Sequence, residues 1–145
     1  MAHFTADAHH FTMTGAYYPK DHVFAMFADT AAAQAAAERM GAVPGIGAVS
    51  LAEPAAIQQA FAERAAEVGG APSVGREDQF MLRFVELARA GRAGLLIETG
   101  RADTAALSAA LAAGGAVLAY HYRALVIEEL IHPTPRAEAA AAGKL

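Results

Sequence analysis

Two stretches of the chain repeat one pattern, an apolar strand followed by an alanine-rich helix. The run His22–Ala28 is apolar on both of its alternating faces, which is typical of a strand in the middle of a sheet. Ala28–Ala32 reads Ala-Asp-Thr-Ala-Ala, and the same letters return at Ala102–Ala106 after a second apolar run. Since each copy opens a helix, the repeat predicts two strand–helix–strand units.

Apolar periodicity and turn residues define the predicted elements. Asp29 or Thr30, and Asp103 or Thr104, are suited to cap the two repeated helices. The predicted strands are His22–Ala28, Ile46–Leu51, Leu95–Glu98 and Ala116–Arg123, and the predicted helices lie between Asp29 and Met40, over Pro54–Val68 and Arg76–Ala90, and between Asp103 and Gly114.

These elements predict an α+β fold in which the two units form a ferredoxin-like four-stranded antiparallel sheet, with two inserted helices between them. A doubly wound parallel sheet is the alternative, because such units also build parallel sheets. Since the strands are apolar on both faces, the second face needs a cover, either the inserted helix pair Pro54–Ala90 or another subunit. The sequence therefore predicts a homodimer.

The predicted elements lie in a single domain at residues 21–131, which suits a chain of 145 residues. Residues 1–20 form an N-terminal arm rich in histidine and aromatic residues, with a short edge strand around Phe11–Gly15 as one interpretation. Residues 132–145 form a C-terminal tail with two prolines and many alanines.

Charge and composition narrow the classes of partner. The formal net charge is −4 and the basic residues are scattered, so the chain lacks the basic stripe of a nucleic-acid-binding protein. The absence of cysteine excludes thiolate catalysis and cysteine-based metal clusters. No run is long and apolar enough to predict a membrane-spanning helix. We expect a cytoplasmic bacterial protein that binds neither nucleic acid nor membrane.

Histidine is the residue type that most suggests chemistry. His9, His10, His22 and His121 have imidazole nitrogens that can bind zinc, copper, nickel or haem iron. In the predicted antiparallel sheet, the first strand starts near the end of the last, so we expect His22 and His121 to approach each other. His9 and His10 point to opposite faces of an extended segment, which argues against one shared ion. Ordinary exposed or hydrogen-bonded histidines are the competing interpretation.

A second candidate site lies on the last two predicted strands. Tyr120 and Tyr122 share one face of their strand and can stack on a flat ligand, or simply pack against a helix. Glu98 is a carboxylate in an apolar strand, and we expect it to pair with Arg101 or Arg123, to face water, or to act as an acid in a pocket. These two tyrosines and Glu98 are the predicted ligand-binding residues.

The second repeat resembles the domain of bacterial general stress proteins of the 17M type. The matching features are Gly115-Ala116 at a turn, the aromatic-histidine-aromatic stretch Tyr120–Arg123, and the acidic-apolar end Val126–Leu130. The opening segment Val23–Leu51 is similar to that domain's first strand, helix and strand, so the resemblance covers roughly residues 21–131. It implies a stress-associated role in bacteria and supplies no catalytic residues.

Together these features predict a non-enzymatic, stress-associated binding or assembly module, a homodimer whose apolar sheet face meets a partner subunit or a small apolar ligand. One alternative is a metal- or haem-binding protein that uses the N-terminal histidines with His22 or His121. The other is a small-molecule enzyme with a pocket at Glu98, because one fold can host many reactions.

Overall fold

The computed structural model of the chain describes residues 2–69 and 74–132. The predicted Pro72-Ser73 loop and the predicted tail beyond His132 lie outside the described residues. The strands are β1 (Ala2–His3), β2 (His22–Phe27), β3 (Val49–Ala52), β4 (Ala93–Glu98), β5 (Leu118–Tyr122) and β6 (Ile127–Ile131), and the α-helices are α1 (Thr30–Met40), α2 (Pro54–Val68), α3 (Arg76–Arg89) and α4 (Thr104–Ala113). In this part of the chain, no helix combines the length and apolar character that crossing a bilayer requires.

The described strands form one mixed sheet in the order β1-β3-β4-β2-β5-β6. Neighbouring strands are antiparallel except β1 and β3, which are parallel. The predicted α+β class is therefore confirmed, and the alternative of a doubly wound parallel sheet is wrong. The described sheet has six strands rather than the four predicted, because β1 and β6 extend it at its two edges.

The two repeated helices begin in the same way. Asp29 accepts a hydrogen bond from the backbone N–H of Ala32 at 2.8 Å, and Asp103 accepts one from Ala106 at 3.0 Å. Each carboxylate satisfies one of the free N–H groups in the first turn, so both predicted caps are confirmed. The helices α1 and α4 that follow pack against the same face of the sheet.

Helices cover both faces of the sheet. On one face, buried alanines of α1 and buried leucines of α4 form a core with Val23, Ala25 and Phe27 of β2. On the other face lie α2 and α3, where Phe84 of α3 stacks on Phe24 of β2 with ring centroids 4.2 Å apart. Of the two predicted covers for the second face, the structure therefore shows the inserted helix pair. The homodimer stays a prediction, and it no longer follows from an uncovered sheet face.

The second predicted strand begins later than expected. The pattern predicts Ile46–Leu51, but β3 starts at Val49. Gly47 donates its N–H to the carbonyl of Glu98 at 2.9 Å, and Glu98 donates its N–H to the carbonyl of Ala48 at 2.8 Å. Gly47 and Ala48 therefore lie together opposite the single residue Glu98. This local bulge interrupts regular pairing and leaves the residues before it in a turn.

The N-terminal arm is packed onto the domain. Its edge strand is β1, whereas the predicted edge strand around Phe11–Gly15 is a loop closed by one bridge between Phe11 and Tyr17. Phe4 is 3% exposed and Tyr17 is fully buried, because both rings pack against Phe61 of α2 in the aromatic core. The arm is therefore part of the fold.

Candidate functional site

The N-terminal arm meets the end of the sheet in a cluster of aromatic and imidazole rings. We call it the arm cluster, and its members are His10, Phe11, Tyr17, His22 and Tyr122. Ring centroids lie 4.9 Å apart for His10 and His22, 5.4 Å for Phe11 and Tyr17, and 6.2 Å for Tyr17 and Tyr122. The fold thereby brings polar side chains from the arm, β2 and β5 into one place.

Hydrogen bonds hold the arm against the end of β5. Asp21, which precedes β2, donates its N–H to the carbonyl of Tyr122 at 2.8 Å. Tyr18 donates its hydroxyl to the carbonyl of Arg123, the residue after β5. The N–H of Tyr18 also donates to the carbonyl of His10 at 2.6 Å, so the arm folds back on itself before it reaches the sheet. These bonds fix the position of the arm cluster.

Two buried hydroxyl groups in the arm cluster have no hydrogen-bond partner among the described residues. They belong to Tyr17 and Tyr122, and both side chains are completely buried. Burial raises the pKa of both phenols, and for Tyr122 the neighbouring Tyr17 adds to the increase. Both groups are therefore neutral and able to donate or accept a hydrogen bond. Since a buried polar group without a partner costs free energy, a water molecule or a ligand oxygen that bonds to these hydroxyls would be stabilising.

Glu98, His22 and Tyr122 lie side by side across three strands. His22 of β2 is opposite both Glu98 of β4 and Tyr122 of β5, so all three side chains lie on the face covered by α2 and α3. Directly opposite residues have Cβ atoms about 5 Å apart. The row runs from the exposed Glu98 through the half-buried His22 to the buried Tyr122. Arg123, one predicted partner of Glu98, instead binds Glu128, with Nη2 and Oε1 2.9 Å apart.

The predicted metal ligands of the arm point in different directions. His9 is exposed, and its Nδ1 lies 3.1 Å from a carboxylate oxygen of Asp7. His10 instead contacts the ring of His22. Within residues 2–69 and 74–132, no three His, Cys, Asp or Glu side chains are grouped so that they could hold a metal ion. A metal or haem centre stays a prediction.

His121 lies away from the arm histidines. It pairs with Val23 of β2, so its ring points toward α1 and α4, while the ring of His22 points to the opposite face. The expected approach of His22 and His121 is therefore wrong, because adjacent residues of a strand alternate between faces. The Nδ1 of His121 lies 3.8 Å from a carboxylate oxygen of Glu128. Burial and, to a smaller extent, Arg123 lower the pKa of the His121 ring.

Tyr120 shares its face with Tyr122, as predicted, but has different neighbours. Its ring stacks on Phe80 of α3 with centroids 3.9 Å apart, and Nη1 of Arg83 donates to its hydroxyl at 2.8 Å. The guanidinium of Arg83 also lies over the ring of Phe80. Tyr120 therefore packs against a helix, one of the two interpretations offered by the sequence, whereas Tyr122 belongs to the arm cluster.

A groove of about 400 Å³ runs between the arm and α2. Phe11 forms its inner wall, because the ring of Phe11 lines the groove and also packs against Tyr17. Phe11 and Tyr17 carry no sequence signal for a site except the high aromatic content of the arm. The rest of the lining combines small and charged residues, namely Ala6, Ala8, Gly15, Ala60, Glu63, Arg64 and Glu67.

Comparisons with protein-family models, with curated proteins and with solved structures find no match to this chain. The resemblance to the 17M-type domain stays a prediction. The physical properties of the arm cluster and its surroundings are therefore the basis on which a function can be proposed.

Proposed function

We propose that the protein is a non-enzymatic module that binds a small, uncharged ligand in the arm cluster. The observation that carries this proposal is the pair of buried hydroxyls of Tyr17 and Tyr122, which have no hydrogen-bond partner among the described residues. A ligand oxygen placed between them would accept hydrogen bonds from both and remove the cost of leaving them unpaired. The surrounding aromatic rings would contact the apolar part of the ligand.

The charge state of the two buried phenols favours a neutral ligand between them. Tyr17 and Tyr122 stay protonated, since burial raises the pKa of each phenol. An ion placed between these neutral groups would lose its hydration without gaining an opposite charge. The ligand class is therefore a small apolar molecule that has one carbonyl or hydroxyl oxygen.

The groove between the arm and α2 would lead to the two hydroxyls if the side chain of Phe11 moved. Phe11 stands between that groove and Tyr17, because its ring contacts both. Rotation of the Phe11 side chain, together with a small shift of the arm loop, would connect the groove to the cluster. The ligand would then contact Tyr17 in place of the ring of Phe11, which packs against Tyr17 in this structure.

We also infer that the four inner strands form a ferredoxin-like module. The order β3-β4-β2-β5 supports this, because each strand–helix–strand unit has a strand of the other unit between its own two strands. The three pairings among these strands are antiparallel, which is also expected of that module. The helices α2 and α3 are then an insertion, and the arm cluster lies where that insertion, the arm and the sheet end meet.

A stress-associated role and a homodimer belong to the same proposal. The stress-associated role is supported by the similarity of Val23–Leu51, Tyr120–Arg123 and Val126–Leu130 to the 17M-type domain. The homodimer is supported by Leu125 and Val126, which are 94% and 60% exposed beside β6, the outermost strand of the described sheet. Light scattering tests the dimer, which the double substitution Leu125→Ser, Val126→Ser should dissociate; a monomeric wild-type chain contradicts it.

Small aromatic probes test the ligand site. Acetophenone, benzamide and phenol serve as uncharged probes, and benzoate and benzylammonium as charged counterparts, with binding followed by calorimetry and saturation-transfer NMR. We expect the uncharged probes alone to bind, and Tyr17→Phe or Tyr122→Phe to weaken binding by about tenfold, as loss of one hydrogen bond implies. Tyr120→Phe is the matched control, because its hydroxyl already binds Arg83.

Two results would contradict the ligand site. One is that no uncharged probe binds the wild-type chain; the other is that the phenylalanine substitutions at Tyr17 and Tyr122 leave binding unchanged.

The row formed by Glu98, His22 and Tyr122 favours a small-molecule enzyme as the second candidate. Chemical turnover of a bound probe, lost in Glu98→Gln while binding remains, would decide for that alternative.

A further inference from the structure

His10 and His22 are the predicted metal ligands that the fold brings into contact. His10 ends a short turn of the arm, and His22 begins β2, yet their ring centroids lie 4.9 Å apart at an angle of 61°. This spacing places ring atoms of the two imidazoles close enough to share one small ion. The contact is tertiary, since the sequence between them includes the whole loop that carries Tyr17.

The hydrogen bond of His22 fixes which of its nitrogens is available. Its Nδ1 lies 2.8 Å from the carbonyl oxygen of Lys20. Because a carbonyl oxygen only accepts, Nδ1 has the proton, and Nε2 is the nitrogen whose lone pair can bind an ion. A backbone carbonyl bonded to the second nitrogen is the arrangement that typically orients a metal-binding histidine.

His10 presents the complementary group. Its Nδ1 is buried and has no hydrogen-bond partner among the described residues. A neutral imidazole nitrogen is the form that binds a metal ion.

We propose that His10 and His22 form a two-imidazole site for a copper ion. Imidazole nitrogen is a good ligand for first-row metals, and copper has the highest affinity for such ligands among the divalent ions. In the described part of the chain, no third His, Cys, Asp or Glu side chain joins the pair to hold a metal, so water completes the coordination. Because copper stands above nickel and zinc in affinity for imidazole ligands, we expect copper to bind this pair most strongly.

The site has a structural consequence of its own. A shared ion joins the arm to the first residue of β2, at the point where the arm covers Tyr17 and Tyr122. The imidazoles, and not the phenols, are its ligands. The copper site therefore goes beyond the proposed binding of a neutral ligand, and either one can be absent while the other is present.

The untagged full chain is titrated with Cu²⁺, Ni²⁺ and Zn²⁺ separately. Tyrosine fluorescence reports binding, because Tyr17 lies next to His10 with ring centroids 6.4 Å apart and bound Cu²⁺ quenches a nearby phenol. Electron paramagnetic resonance of the copper form reports how many imidazole nitrogens are bound. We expect one strongly bound copper per chain, coupling to two imidazole nitrogens, and weaker binding of nickel and zinc.

Substitutions identify the ligands. Loss of an outer partner alone lowers metal affinity by about 10–100-fold, so His10→Phe and His22→Phe should each lower it by at least that factor. Phenylalanine keeps a ring in each place, and circular dichroism of the metal-free variants checks that they fold. His9→Ala is the matched control, because His9 adjoins His10 in sequence but is exposed beside Asp7.

Three results would overturn the proposal. The first is that copper does not bind stoichiometrically to the wild-type chain. The second is that both phenylalanine variants bind copper as tightly as the wild-type chain, or that His9→Ala weakens copper binding as much as they do. The third is a resonance spectrum of the wild-type copper form without two bound imidazoles, which does not depend on whether any variant folds.

Discussion

Arg64 of α2 and Asp78 of α3 are joined by two parallel hydrogen bonds. The Nε–Oδ1 distance is 3.0 Å and the Nη2–Oδ2 distance is 2.8 Å. Arg64 also donates through Nη1 to the carbonyl of Thr14 in the arm at 2.9 Å. One guanidinium therefore holds the two inserted helices together and fastens the arm loop to them, which makes the pair important for the cover of the second sheet face.

Replacing Asp78 should destabilise the fold more than replacing the other carboxylate that Arg64 contacts. Asp78→Ala removes both hydrogen bonds from a partly buried guanidinium that keeps its contacts to Glu67 and Thr14, and we expect a loss of about 1.5–3 kcal/mol in the free energy of unfolding. Glu67→Ala removes an exposed contact to the same arginine and should cost less than about 1 kcal/mol. Urea denaturation measures both losses. Equal losses would mean that the bidentate Arg64–Asp78 pair adds no more stability than the exposed Arg64–Glu67 contact.

The two tyrosines of β5 should respond in opposite ways to loss of the hydroxyl. Tyr120→Phe removes a hydrogen bond from the charged Arg83, and we expect a loss of about 1.5–3 kcal/mol in unfolding free energy. Tyr122→Phe removes a buried hydroxyl that has no partner among the described residues, so the metal-free, ligand-free chain should be as stable or more stable.

Thermal and urea unfolding of the two variants compare these costs directly. Both substitutions remove the same oxygen from the same face of one strand, so each serves as the control for the other. A Tyr122→Phe variant that lost as much stability as Tyr120→Phe would show that its hydroxyl is already satisfied in the free protein. The hydrogen-bond argument for the ligand site would then fail.

Stability should fall at alkaline pH because of Tyr17 and Tyr122. Burial raises the pKa of both phenols above the ordinary value of 10.0, so the folded chain keeps protons that the unfolded chain releases. The folded state therefore binds more protons than the unfolded state above about pH 10, and its stability decreases as pH rises from there. Below about pH 10 both states keep the two phenol protons, so the stability lost at higher pH is fully present there.

Urea unfolding between about pH 8 and pH 11.5 tests the alkaline effect, with phenolate absorbance recorded alongside. The double variant Tyr17→Phe, Tyr122→Phe should lose less stability over this range than the wild-type chain. If the wild-type and double-variant curves decline in parallel above pH 10, these two phenols are not the groups responsible.

Local signals in the sequence were sufficient to predict where the helices begin. Asp29 and Asp103 precede their helices as short acceptors, and Pro54 occupies the first turn of α2, so each boundary is set by the few residues around it. The edge strands are different. Ala2–His3 is too short to show alternation, and Ile127–Ile131 has adjacent glutamates that resemble a solvated loop.

The candidate site depended on contacts that no local pattern contains. Tyr17 meets Tyr122 only because the arm returns to the end of β5, and residues so far apart are joined by tertiary packing. The register between β2 and β5 decides that His22 faces Tyr122 while His121 faces the opposite side. A shift of one residue in this register would exchange the two faces. The faces on which His22 and His121 lie therefore depend on the register, which the sequence pattern does not define.

Two glycines in left-handed conformations should differ in how much an added methyl group costs. Gly100 has a φ of 56° and Gly115 a φ of 83°, so alanine at either position adds backbone strain of about 1–2 kcal/mol. At Gly100 a Cβ atom would also lie 2.5 Å from the carbonyl oxygen of Gly45, whereas at Gly115 nothing lies within 4 Å. The carbonyl of Gly45 cannot move freely, because it accepts a hydrogen bond from Arg101 at 2.9 Å.

Gly100→Ala should therefore destabilise the chain by the strain seen in Gly115→Ala plus about 1–3 kcal/mol for overpacking. Comparison of the two variants by urea denaturation isolates the second contribution, because the backbone strain is common to both. Equal losses would show that the loops around Gly45 and Gly100 separate without cost. A larger loss at Gly100 would show that these loops form one rigid unit, which in turn fixes the bulge at Glu98 and the end of β4 beside His22.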